Sequence, residues 1–333
     1  MGEESEILWL IRAVLRDHVQ VGNPLEPTRP FRWDVTRREC LGSLVARPGE
    51  DLWYLEELEA CAAKVLARCG NGRRVYFVGR SPASICDYLT GALENTSWAH
   101  RLVRLPFSMR GEDDRRRVLG DAGLRRQLQT NLGALGLHPH DLQRGRGGVA
   151  FVDLVAHGGT FANLAVLLHA WTAEVGAQWD VVRRRLRFVA ITTQQQPYPG
   201  LGRLQDQAAG LEVVPRSAVT QIPIHGHVWG HLGGRQAKVE RCFHHRRWGE
   251  VDGPIYEDEV LDALATAVTL VELGRTPPAR SRLAALVAAE QEFCERWLRA
   301  LVAEMRGVDQ TDRSRRRAGL GRPWTARGGA ACY

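Results

Sequence analysis

Lysine is almost missing from this chain. Lys64 and Lys238 are the only two in 333 residues, so nearly all of the positive charge is arginine. A formal net charge of +7 would ordinarily invite a nucleic-acid reading. Here the basic residues are not interleaved with an aromatic platform for stacking bases, and no helix-turn-helix pattern accompanies them, so nucleic acid is not an expected partner. The heavy use of Arg, Ala and Gly fits a GC-rich genome. No apolar run approaches the roughly 20 residues of a membrane span, so no membrane partner is expected. The amino-terminal "MGEESEILWL" is acidic before it is apolar, the reverse of a secretory signal. The seven cysteines show no CxxC spacing, and their odd number predicts reduced thiols in a cytoplasmic protein rather than a disulfide framework. Absent too are an internal repeat and the common nucleotide fingerprints, since no GxxxxGK[ST] and no GxGxxG occurs.

What remains is an ordinary globular composition, with 44% hydrophobic and 25% charged residues. Its length allows one large domain or two small ones. Helices are expected at Ile7–Val19 and Trp53–Arg68, then an alternating middle: strand "RVYFVG", turn "RSPAS", helix "ICDYLTGAL", strand "HRLVRLPF". A long polar segment, 108–147, carries one helix near Arg115–Leu132. Strand "GVAFVDLV", a helix over Phe161–Val175, and strands "LRFVAITT" and "GLEVVP" follow, with closing helices at Glu257–Leu273 and Arg280–Met305. Strands alternating with helices imply a parallel sheet. The division expected is a helical flank (1–72), an α/β core (73–215), a His/Gly/Trp-rich hood segment with C-terminal helices (216–310), and a disordered basic tail (311–333).

The most informative stretch is "GVAFVDLVAHGGTFANL", Gly148 to Leu164. Val149–Val155 is apolar except for Asp153, the pattern of a strand buried on both faces. Two glycines then permit positive φ and close approach of a ligand, and the helix that follows offers its amino-terminal N–H groups to an anion. An ordinary βα turn is the competing reading.

This stretch resembles the phosphoribosyl pyrophosphate (PRPP) motif of type I phosphoribosyltransferases: apolar residues, an acidic pair, two apolar residues, a short phosphate loop and Gly-x-Thr. Val152 stands where the first acid is usual and Asp153 where the second is. The resemblance implies that Ala156, His157, Gly158, Gly159 and Thr160 wrap the 5-phosphate. Upstream, Gly79, Arg80 and Ser81 in "YFVGRSPASICDYL" are similar to the family's pyrophosphate-binding turn, and the segment after "LVRLPF" stands where the family carries a mobile catalytic loop, with Arg110 placed to reach the pyrophosphate. The resemblance covers about residues 73–215 and implies an α/β, parallel-sheet phosphoribosyltransferase core with helical flanks and a small hood subdomain.

The chemistry it implies is loss of pyrophosphate from the anomeric carbon of PRPP through an oxocarbenium-like transition state. Arg80 and Mg²⁺ would neutralise the leaving group, because a planar guanidinium matches its oxygens. Asp153 would take the ribose 2- and 3-hydroxyls directly or through Mg²⁺, which needs few protein ligands. Ala156 stands where purine enzymes of the family carry an acid, so a purine acceptor is not expected. By analogy, a small molecule of specialised (antibiotic) metabolism, such as the aminoglycoside neamine, is the implied acceptor. Asp113, Asp114, His227 and Trp229 are its candidate contacts. A zinc reading of His225, His227 and His231 lacks paired cysteines. Lys238, a lone lysine, is expected to be exposed. The alternative function is a PRPP-sensing regulator, and a homodimer is compatible with either.

Overall fold

In the computed structural model, which describes residues 27, 30–145, 147–194, 204–250 and 253–307, regular structure alternates through the middle of the chain. The expected helix at 7–19, most of the Gln/Pro/Gly loop and the basic tail at 311–333 lie outside the described residues. Helix α1 (Leu55–Cys69) precedes β1 (Arg74–Val78), α2 (Ala83–Ala92) and β2 (Leu102–Leu105). Then come α3 (Glu112–Gly120), α4 (Ala122–Ala134), α5 (Pro139–Arg144), β3 (Val149–Leu154), α6 (Gly159–Glu174), α7 (Trp179–Arg185) and β4 (Leu186–Thr193). The strand β5 (Val219–Ile224) leads to a short helix α8 (Gly226–Gly230), and α9 (Asp258–Arg275), α10 (Pro277–Ala288) and α11 (Arg296–Met305) close the chain.

The strands form one all-parallel sheet in the order β2-β1-β3-β4-β5. Every residue of β3 is buried, as its near-continuous apolar run requires of a strand covered on both faces. Alternate residues feed two cores. Val75, Phe77, Ala150, Val152 and Leu154 pack beneath α1, α2, α10 and α11, while Tyr76, Val78, Phe151, Phe188 and Ala190 pack beneath α3–α7. A third cluster joins Val35, Leu41 and Val45 to Val239 and the buried face of α9. Helices α2 and α9 meet at glycines: a Cβ on Gly91 would lie 1.9 Å from the Val271 carbonyl oxygen, and one on Gly274 would lie 2.4 Å from that of Tyr88. Among the described residues no helix is long and apolar enough to cross a membrane.

Three expected elements differ. "GLEVVP" is not a strand: Leu211–Val213 forms a single 3-10 turn after Gly210, and buried Leu211 and Val214 pack into the core beneath α6. The fifth strand is "VTQIPI", beyond residue 215, so the sheet runs on into what the sequence grouped with the hood. Pro223 hid it, and Pro is tolerated there because β5 is an edge strand. The polar segment after β2 holds three helices rather than one, because the Asp121 carboxylate accepts from the backbone N–H of Gly123 (2.8 Å) and Leu124 (3.1 Å) and starts a new helix. The last expected helix is likewise broken, at Gln291–Cys294.

Candidate functional site

Chain order fixes where a ligand can enter. From β1 the chain moves one way to β2 and then returns to the other side of β1 for β3. Connections that leave in opposite directions open a crevice beyond the carboxyl ends of β1 and β3. A cleft of about 1150 Å³ lies there, lined by Gly79, Arg80 and Ser81 after β1 and by residues 153–160, the end of β3 and the turn that follows it.

The β3 side holds an unusual carboxylate. Asp153 is 6% exposed and its Oδ1 is buried with no hydrogen-bond partner. Burial pushes its pKa well above the usual carboxylate range, opposed only in part by the Leu154 N–H and by Arg110. Gly158 takes the left-handed conformation (φ 77°) at the N-cap of α6, and no side chain caps this 16-residue helix. Its first N–H groups are therefore offered to a ligand rather than satisfied internally. Gly159 is required by close approach, since a Cβ there would lie 2.4 Å from the Arg110 carbonyl oxygen. Ala156 and His157 are exposed at the cleft, and Thr160 also lines it.

The segment after β2 is pinned rather than loose. Asn163 of α6, 1% exposed, donates to the carbonyls of Met109 (3.1 Å) and Gly111 (3.0 Å). Met109 is buried, Ser108 bridges to His244, and Arg110 projects at the cleft. Sequence reasoning missed Asn163, although a single amide inside the apolar run "FANLAVLL" was its signal.

The β1 side meets the segment 236–244. Gly79 has φ 71°, and Arg80 donates from Nη1 to the Glu240 carbonyl at 3.0 Å. The Glu240 carboxylate takes Arg32 (2.5 Å) and Arg104 (3.4 Å), and both arginines also bind buried Asp87. Burial would raise the Glu240 pKa, but Arg32 and Arg104 hold it below the usual range. Lys238 corrects its expected exposure. It lines the cleft, is mostly buried, and donates to Gln236 Oε1 at 2.8 Å because the segment folds back against the polar end of α2. Its scarcity in the chain was the available signal.

The expected acceptor residues divide. Trp229 lines the cleft and donates through its indole N–H to the Ile191 carbonyl at 3.0 Å. His227 is exposed and not among the cleft-lining residues. Asp113 is 99% exposed and pairs with Arg116 on the surface of α3. Both miss the cleft because the helical period turns them outward. Asp114 lines the cleft but faces His244 (3.3 Å) and His245 (3.7 Å). Among the described residues this is where three candidate metal-ligating groups converge, within 4.8 Å. The trio joins α3 to the 236–247 segment. His225, His227 and His231 do not converge, and His231 instead faces Glu50 at 3.2 Å. Glu112, which the sequence grouped with Asp113 and Asp114 as an acidic cluster able to attract a cationic acceptor, lines the cleft, and Glu257 and Glu259, which the sequence did not single out, add to its acidic side.

Compared with family models, with curated proteins and with solved structures, the chain matches none.

Proposed function

We propose that this protein transfers the 5-phosphoribosyl group of PRPP to a small-molecule acceptor and releases pyrophosphate. One observation carries the reading. At the point where strand order reverses, a buried carboxylate with one unpartnered oxygen (Asp153 Oδ1) and an uncapped, glycine-opened helix amino terminus share a cleft with an arginine-bearing turn.

In this reading residues 156–160 and the first turn of α6 bind the 5-phosphate. Asp153 accepts hydrogen bonds from the ribose hydroxyls, which supply the partner its buried oxygen lacks. Arg80 and Arg110 hold the pyrophosphate, with Gly79 and Ser81 shaping the turn. The bond from C1 to the pyrophosphate oxygen breaks with its electron pair leaving on pyrophosphate. The acceptor heteroatom bonds to C1 and gives up its proton. Charge growing on the leaving group is where fixed cations act most strongly.

Mg²⁺ fits this donor set, because it prefers hard oxygen ligands and Asp153 offers a carboxylate oxygen with no protein partner. When bound it would neutralise the diphosphate. The acidic side of the cleft favours a cationic acceptor, such as an aminoglycoside, and Ala156 disfavours a purine base. Trp229 would form a wall of that acceptor site.

The test is pyrophosphate release from PRPP and Mg²⁺ across a panel of amines, alcohols and bases, with thermal shift by PRPP measured in parallel. Acceptor-dependent release with poor use of hypoxanthine supports transfer. Binding of PRPP without release, together with retardation of DNA or RNA, would favour the regulator instead.

A further inference from the structure

Lys238 is a cleft group the proposed chemistry has not used. Its amine is positioned by a built scaffold. Gln236 Oε1 accepts from Lys238 Nζ and from Ser84 Oγ (2.7 Å), while the Gln236 amide nitrogen donates to Tyr54 Oη (2.9 Å) and to the Glu50 carboxylate. An ammonium has three donors, and the bond to Gln236 uses one. Two residues along, the Glu240 carbonyl seats Arg80. The same short stretch of backbone therefore anchors both cations at the cleft.

We propose that Lys238 joins Arg80 in a subsite for a diphosphate group, and that it takes up a proton as the anion binds. The proposal rests on the PRPP reading for the identity of the natural ligand, but the subsite itself is defined by condensed phosphate. Four charged groups face the amine: Asp87 from α2, Glu50 from the segment before α1, Arg80 from the turn after β1, and Glu240 from its own segment. Burial, reinforced by Arg80 and opposed by the three carboxylates, brings the Lys238 pKa down to about 8. Asp87 and Glu240 are already engaged by Arg32 and Arg104, which limits what they can return to the lysine. An arriving diphosphate adds negative charge beside the amine and favours its charged form. Arginine, the residue this chain otherwise uses for positive charge, stays protonated and cannot respond in this way.

The experiment is calorimetric titration of the full chain with magnesium pyrophosphate, in two buffers of different ionisation heat, at about pH 6.5 and about pH 8.5. Wild type should take up a substantial fraction of a proton per site at the higher pH and little at the lower. Lys238→Arg should bind within about threefold of wild type but lose that uptake, and it also accounts for protons carried by the ligand. Lys238→Met should bind about tenfold or more weakly, with an unchanged circular dichroism spectrum. Equal proton uptake by wild type and Lys238→Arg would overturn the proposal, as would unweakened binding by Lys238→Met or failure of wild type to bind pyrophosphate. Should Lys238→Met misfold, the Lys238→Arg comparison decides alone. If pyrophosphate binds with Lys238-dependent uptake but PRPP does not bind, the phosphoribosyl reading falls and the subsite stands.

Discussion

Asp153 works against folding when it is ionised and unliganded. Its pKa is higher in the folded protein than in the unfolded chain, so the folded state binds the extra proton. Stability from this group is therefore present at low pH and is lost as pH rises through the raised folded value. Asp153→Asn should melt higher than wild type at neutral pH, by about 1 kcal/mol or more. The gap should narrow as pH falls toward the ordinary carboxylate range, and activity should be lost. Melting curves across pH, beside pyrophosphate release, would check both halves. Gly159 carries a different constraint. Gly159→Ala drives a methyl group against the Arg110 carbonyl and should cost about 1–3 kcal/mol, with loss of the thermal shift by PRPP. Thr160→Ala should leave unliganded stability within about 0.5 kcal/mol while weakening that shift.

At the scale of elements, the turn bearing Arg80 stays in place because α2 is docked against its neighbours. The approach of α2 to α9 at Gly91 and Gly274 brings backbone against backbone, so no rotamer change can make room. Gly91→Ala should destabilise by about 3 kcal/mol or more, read as a lower urea midpoint. An undiminished midpoint would mean the two helices can separate without loss. The connection from β2 to β3 illustrates the same dependence in reverse. A polar segment expected to carry one helix is folded into α3, α4 and α5 and tied to α6 by Asn163, and the part of it that lines the cleft is the short stretch before α3 with the first turn of that helix.

At the scale of the molecule, Asp87 of α2, Arg104 of β2, Glu240 of the hood segment and Arg32 meet in one buried web. Removing one member strands the others without compensation. Arg104→Met should therefore cost about 3–5 kcal/mol in equilibrium unfolding, far more than loss of an exposed pair such as Arg47 with Asp258. The web also binds the hood segment into the protein. Leu232 and Val228 enter the core beneath α1 and α2, and Val239 enters the cluster on α9, so the segment is part of the body and not a detached lid.

The alternation of "RVYFV", "VAFVDL" and "LRFVAITT" with amphipathic stretches was enough to specify a parallel α/β sheet, because burial on both faces leaves a run with no polar side. The breaker "HGGT" and the lone acid Asp153 were legible for the same local reason. The tertiary structure alone decided which strand neighbours which, and hence that the ends of β1 and β3 share a cleft. It also decided that the edge strand is "VTQIPI" rather than "GLEVVP", since pairing with β4 depends on which segment the fold brings alongside it and not on local apolar pattern. Lys238 and Asp113 show the limit most clearly. Charge and exposure assigned from sequence put the first in water and the second in the site, and the fold reverses both, because burial depends on which distant segment arrives to cover a side chain.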